Sequence, residues 1–269
     1  MKKAFRGKYR ILASENLAPD VFELKINASD IATASSAGQF VNVYPEGGAM
    51  LLPRPISIAD AKNDTIVLAF AVVGAGTESM ANYKNGDHIE LMGPLGNGFF
   101  SYGENEKLPE PKEVLLIGGG TGIPPLRFAA SELKREYKSD VKLTACLGFA
   151  KQPWYKDDFE QVCDEVKIGS ETEGEADFKG NVIKLMDTVF NGNGRENPEL
   201  ALACGPRPML EAAAKWCEYR GIPLRVSLEE RMGCGYGVCA GCAVKPRNST
   251  TKKKVCSDGP VFWAEEVKW

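Results

Sequence analysis

The chain has 269 residues, 43% hydrophobic and 26% charged, with a formal net charge of −3. That balance offers no basic excess for nucleic acid and no long like-charge run, and the length suits roughly two domains of about 100–200 residues each. No stretch approaches the roughly 20 apolar residues of a membrane span. The basic start, Met1 to Arg6, runs into Gly7-Lys8-Tyr9-Arg10 without the apolar core of a signal peptide, so a cytoplasmic protein without a membrane partner is expected.

The first hundred residues read as β structure. Val21-Phe22-Glu23-Leu24-Lys25-Ile26 alternates apolar and polar, as a half-buried strand does. Gln39–Tyr44, Pro55–Ala59 and Thr65–Val73 are further predicted strands, separated by turn residues at Gly47-Gly48, Asn63-Asp64 and Asn85-Gly86. Short strands at this spacing predict a small antiparallel barrel or sandwich, with one short helix after Gly76-Thr77. His88, the one histidine, sits at a turn entering a strand and reads as surface structure. A polar, proline-containing linker is expected over Ser101–Lys112.

Beyond it the pattern changes. Glu113-Val114-Leu115-Leu116-Ile117 is a continuous apolar strand, followed by Gly118-Gly119-Gly120-Thr121-Gly122 and a helix from Pro124 to about Tyr137. Lys142–Phe149, Val166–Ser170, Glu199–Ala203 and Pro223–Leu228 follow as strands, with a helix over Arg207–Arg220. Strands alternating with helices predict a doubly wound parallel sheet. The tail from Glu229 is too short and too rich in Gly and Cys to build a large core, and a metal centre would supply its stability. The predicted domains are residues 1–103, 104–228 and 229–269.

Eight cysteines in a cytoplasmic chain point to metal or redox use rather than disulfides. Cys146, Cys163, Cys204 and Cys217 are scattered, whereas Cys234, Cys239, Cys242 and Cys256 crowd together. The spacing C-x4-C-x2-C with one cysteine beyond is that of a plant-type [2Fe-2S] site. Intervening glycines let backbone amides reach the cluster sulfurs. The alternative is structural zinc, which more often uses two separated cysteine pairs, and with it a non-enzymatic interaction module.

Three other motifs lie at ligand-binding places. Gly118–Gly122, between strand and helix, can cradle a pyrophosphate or form a plain tight turn. Cys204-Gly205-Pro206, after another strand, would lie on the same sheet edge. Arg54-Pro55-Ile56-Ser57 places a cation able to hold phosphate and a hydroxyl able to reach a ring nitrogen on one strand, and Gly76-Thr77 opens a helix. The tract Lys252-Lys253-Lys254 reads as a solvated turn that could also attract an acidic partner.

Taken in order, Arg54–Ser57, Gly93–Phe99, Gly118–Gly122, Cys204-Gly205-Pro206 and the cysteine run resemble the ferredoxin reductase-like flavoproteins. The cluster after the nucleotide domain is similar to that of the electron-transfer subunits of NAD-dependent dihydroorotate dehydrogenases. The resemblance implies FAD in the barrel, with Arg54 at the pyrophosphate, Ser57 approaching the flavin ring, Pro55 and Ile56 between them in the same cofactor-binding run, and Ala69-Phe70-Ala71 and Gly76-Thr77 as further contacts. It implies NAD over Gly118, Gly119, Gly120, Thr121 and Gly122, with Gly205 and Pro206 alongside and Cys204 near the nicotinamide. Two positions depart from the pattern: Ile56 stands where many relatives carry Tyr, and Ala71 where the dihydroorotate subunits often carry Arg. The implied partner is an FMN-containing catalytic subunit, in a heterotetramer of two copies of each, serving pyrimidine biosynthesis. Reductase subunits of a hydrogenase, sulfite reductase or glutamate synthase share the architecture and remain the alternative.

Overall fold

The computed structural model describes residues 3–45, 51–101, 110–172, 176–191, 195–247 and 249–269. The predicted turn at Gly47-Gly48 and most of the predicted linker lie outside them.

The N-terminal part contains β1 (Phe5–Ala18), β2 (Val21–Asn27), α1 (Ser29–Ala34), β3 (Phe40–Tyr44), β4 (Arg54–Lys62), β5 (Thr65–Ala71), α2 (Ala75–Ala81) and β6 (His88–Leu95). The strands close into an antiparallel barrel in the order β1-β2-β5-β4-β3-β6. The alternation in β2 works as predicted: Leu24 and Ile26 enter the barrel while Lys25 and Asn27 face water. The long β1 has a much weaker sequence signal, because Arg6, Lys8 and Arg10 line its outer face and no turn residue marks its middle. His88 opens β6 opposite Arg10 and is exposed.

The second part contains β7 (Glu113–Gly119), α3 (Ile123–Tyr137), β8 (Lys142–Phe149), α4 (Lys156–Glu160), β9 (Glu165–Ser170), β10 (Phe178–Lys179), α5 (Val182–Phe190), β11 (Leu200–Cys204), α6 (Arg207–Arg220) and β12 (Leu224–Ser227). The strand order is β10-β9-β8-β7-β11-β12, all parallel, so the direction of winding reverses between β7 and β11. The central strands are continuous apolar runs because helices cover both faces. Pro124 and Pro125 stand in the first turn of α3, where their missing N–H groups cost nothing. The buried face of α3, including Leu126, Phe128, Ala129 and Leu133, belongs to one core with barrel residues Ile58, Leu68 and Phe99.

The tail adds β13 (Ala243–Val244), β14 (Lys253–Lys254) and β15 (Val261–Trp263). β13 and β14 form a small hairpin. β15 pairs antiparallel with β12 and becomes the edge of the large sheet, so that sheet is mixed at one side. The tail thereby borrows the core of the preceding sheet: Phe262 and Val267 pack with Val226 and Leu228. The lysine tract is not a free turn. Lys253 pairs with Glu266 at 2.6 Å, and the Lys254 ammonium donates to the Gly237 carbonyl at 2.6 Å.

Candidate functional site

The hairpin of β13 and β14 sets Ala243 opposite Lys254 and so brings Cys242 and Cys256 together. The Cys256 amide donates to Cys242 Sγ at 3.4 Å, and the Gly237 amide donates to Cys256 Sγ at 3.2 Å. Cys234 and Cys239 exchange amide-to-sulfur contacts of 3.4 Å each, and the Gly241 amide also reaches Cys239 Sγ at 3.4 Å. Gly235 and Gly237, with φ of 76° and 91°, turn the chain so that these amides face inward. Burial opposes ionisation of Cys234, yet the amides of Cys239, Tyr236 and Val238 bring its thiol down to about 6. Burial, and then the adjacent Cys242, push Cys256 up to about 12.

Among the described residues no three His, Cys, Asp or Glu side chains gather round a single ion-sized point. The donor chemistry therefore decides: four sulfurs on one short segment, with loop amides of Gly237 and Gly241 and the cysteines' own amides aimed at sulfur, fit a thiolate-held [2Fe-2S] cluster. The other four cysteines are buried apart in the two cores, and burial pushes each thiol up to about 12. Neutral, enclosed thiols of that kind are poor metal ligands.

In the barrel, Arg54 opens β4 and reaches across to the start of α2. Its Nη1 donates to the Leu52 carbonyl at 2.6 Å, and its guanidinium lies over Gly76, where a Cβ would stand 2.2 Å from Nε. Gly76 is therefore a glycine by close approach. Thr77 is buried and accepts a hydrogen bond from the Val73 amide at 2.9 Å. Pro55, Ile56 and Ser57 are half-buried along β4, opposite Asn42, Val41 and Phe40 of β3. Ala69 and Phe70 are buried and Ala71 half-buried on β5. The Phe70 ring stacks on Phe22 at 6.3 Å in the core, which leaves only its backbone for a cofactor.

At the winding reversal, Gly118 is paired with Cys204, so both predicted loops emerge side by side from the carboxyl edge of the sheet. A Cβ on Gly122 would lie 2.3 Å from the Cys204 carbonyl carbon, and one on Gly119 would lie 2.5 Å from Met209 Sδ. Gly120 and Thr121 form the turn into α3, with Thr121 exposed. Gly205 and Pro206 lead into α6, and Cys204 is buried beside Ser227. Farther along this edge a cavity of about 560 Å³ is lined by Lys151, Trp154, Tyr155, Asp157, Asp158 and Ser170 among others.

Two sets of residues escaped the sequence reading. Asn42 Nδ2 donates to the Cys234 carbonyl at 2.8 Å, and Asn97 Nδ2 reaches the carbonyls of Ser257 and Asp258 at 3.1 and 3.2 Å. These side chains tie the cysteine segment to the barrel. A second set joins barrel and sheet: the Tyr155 hydroxyl donates to the Glu23 carboxylate, and Arg127 pairs with Asp158 at 2.9 Å while lying 4.9 Å over the Tyr155 ring. Burial raises the Glu23 carboxyl above its ordinary value. A lone Asn on a strand or a Tyr in a loop carries no spacing signal, and only the fold brings them to their partners.

The model of the iron-sulfur cluster binding domain of dihydroorotate dehydrogenase B matches residues 229–268. The dihydroorotate dehydrogenase B (NAD(+)) electron transfer subunit of Caldanaerobacter subterraneus subsp. tengcongensis is 35% identical, over 98% of this chain and 98% of its own. This chain belongs to the family of dihydroorotate dehydrogenase B electron transfer subunits. The family's subunit from Shouchella clausii is 34% identical over 97% of this chain and 98% of its own. Among solved structures, an NADH-dependent reduced ferredoxin-NADP oxidoreductase studied for flavin-based electron bifurcation superposes with a TM-score of 0.83, at 31% identity, over 97% of this chain and 90% of that one. A ferredoxin NADP+ reductase from Neisseria gonorrhoeae with bound FAD and NADP shares the fold alone, with a TM-score of 0.64 and 16% identity over 80% of this chain and 92% of that one. The family has no conflict with the barrel and sheet described above. No helix among the described residues is long and apolar enough to cross a membrane.

Proposed function

We propose that this chain carries electrons between the FMN of a dihydroorotate dehydrogenase catalytic subunit and NAD, through a [2Fe-2S] cluster and FAD, in pyrimidine biosynthesis in the cytoplasm. The observation that carries the proposal is the direct seating of the four-cysteine cradle on the barrel, through Asn42 and Cys234. The reading divides the chain into an FAD-binding barrel at 1–103, an NAD-binding sheet domain at 104–228 and a cluster-binding segment at 229–269.

The cofactors, when bound, would supply the redox chemistry, hydride exchange between NAD(H) and FAD and single-electron exchange between FAD and the cluster. The chain's own residues bind and orient. Arg54 holds phosphate beside Gly76, which leaves room for its guanidinium. Ser57 presents its hydroxyl towards the flavin ring. The amides of Gly118–Gly122 and the first turn of α3 receive the dinucleotide pyrophosphate. Cys204 stays a neutral thiol, since burial pushes it up to about 12, and it shapes the nicotinamide site without acting as a base. Cys234, Cys239, Cys242 and Cys256 hold the irons. The partner is the catalytic subunit, in an assembly of two copies of each.

A second reading has its own support. The likeness at a TM-score of 0.83 to a reductase that is not a dihydroorotate enzyme suits a subunit serving another complex. The test of the shared part is an absorbance spectrum with iron, sulfide and flavin analysis of protein purified without oxygen, followed by addition of NADH. Two irons, two sulfides and one FAD per chain, with bleaching by NADH, are expected. A colourless protein holding one zinc would refute both readings, and the identity of the copurifying subunit separates them.

A further inference from the structure

Asn42 lies in the middle of β3 and is fully buried. Its neighbour across the ladder is Pro55, on the strand that opens with Arg54. Its amide nitrogen donates to the carbonyl of Cys234, the first of the four cysteines, at 2.8 Å. The flat face of the same amide lies against Gly235, where a Cβ would stand 2.5 Å from both Nδ2 and Oδ1. The orientation is fixed, because an amide oxygen turned towards the Cys234 carbonyl would set two acceptors against each other. Oδ1 is buried without a partner among the described residues. An unpartnered buried oxygen is costly, and an apolar side chain of the same size would avoid that cost at this covered position, which faces away from the Val41 and Val43 side of β3 that fills the barrel and lies under the cysteine segment. The side chain is thus poorly explained by barrel stability and well explained by its one bond to the cysteine segment.

We infer that Asn42 is the positioning residue that locks the cluster loop against the flavin strand and so governs the electron-transfer step between FAD and the cluster. The inference rests on the cofactor assignment proposed above. Asn97 anchors the far side of the segment, next to Cys256, through more solvent-exposed contacts to Ser257 and Asp258. Asn42 touches a cysteine ligand and the strand beside Arg54 at once. The step moves one electron from flavin that NADH has reduced to a ferric iron of the cluster. No heavy-atom bond forms or breaks in it. Electron transfer of this kind depends on a fixed separation, which a loop held by one fewer buried hydrogen bond keeps in a smaller fraction of molecules.

The experiment uses the anaerobically purified holoprotein and its Asn42→Ala and Asn42→Leu variants. Asn42→Leu keeps the size without a buried charge and serves if the Ala cavity prevents folding. Stopped-flow bleaching reads hydride transfer from NADH to flavin, and freeze-quench EPR reads reduction of the cluster. The expected result is unchanged hydride transfer and cofactor content, with cluster reduction slowed by up to about fivefold, the most that the docked fraction of the loop can fall when one hydrogen bond is lost. Iron lost while flavin is retained also supports the anchor. Unchanged cluster reduction in the folded variants overturns the inference, as does equal slowing of both steps or loss of flavin with iron retained, since those report only a damaged barrel. A wild-type protein lacking flavin or the reduced-cluster signal would instead contradict the cofactor assignment itself.

Discussion

Replacing Gly76 with Ala tests the phosphate site without touching a charge. The new methyl would stand 2.2 Å from Arg54 Nε, 2.6 Å from Cζ and 2.7 Å from Nη2. No backbone lies among those nearest atoms, so the guanidinium swings out and the barrel still closes. A charge-assisted bond to phosphate contributes about 1.5–3 kcal/mol, and its loss weakens FAD binding by roughly tenfold to a hundredfold. Arg54→Ala should cause a similar loss, and the double variant no more than either single one, because both remove one contact. Equilibrium dialysis of FAD against the apoprotein measures the affinity, and thermal melting of the apoprotein checks that the fold is kept. Wild-type affinity in Gly76→Ala, or losses that add in the double variant, would refute the placement of phosphate beneath Arg54.

Single Cys→Ser changes at Cys234, Cys239, Cys242 and Cys256 should each deplete bound iron, while changes at the enclosed Cys146, Cys163 and Cys217 leave it intact; iron analysis that puts Cys217 among the ligands contradicts the assignment. NADH should reduce the flavin about tenfold or more faster than NADPH, since the cavity beyond β8 sets Asp157 and Asp158 beside Lys151 and Lys156 with no arginine among its lining residues, and Arg127 is committed to Asp158; equal stopped-flow rates would remove that preference. Burial works against ionised Glu113, but Arg195 and Lys142 outweigh it and hold the carboxyl below its ordinary value. Its contribution, about 1 kcal/mol at this partly buried pair, is therefore complete above the unfolded-state pKa and lost as pH falls through the folded one. Urea melts of Arg195→Gln across that range should show a flatter acid limb than wild type, and an unchanged limb would discount the ion pair. Tyr236 and Val238 are 45% and 75% exposed on the cluster loop, so Tyr236→Asp should weaken capture of the catalytic subunit in a pull-down, and undiminished capture would move the docking face elsewhere.

The sequence was most legible where chemistry imposes spacing. The C-x4-C-x2-C run shows its purpose in the chain order, because ligands of one cluster on a short loop must be close in sequence. The strand–glycine–helix unit at Gly118–Gly122 was equally plain, since a buried parallel strand is an unbroken apolar run. Long-range partners were not legible. The tail read as a separate unit, yet β15 completes the edge of the sheet and its three residues carry no alternation to announce it. α5 was missed because its apolar residues sit among turn-like neighbours, although Asn181 caps it through the Lys184 amide. Asn42 and Asn97 act across 192 and 160 residues, separations at which no local pattern exists.

The most direct test of the electron path is reconstitution. The anaerobically purified chain, mixed with a dihydroorotate dehydrogenase catalytic subunit carrying FMN, should form NADH from NAD when dihydroorotate is added, while either component alone does not. Orotate production by this chain alone, or no NADH from the mixture although both proteins hold their cofactors, would contradict the account.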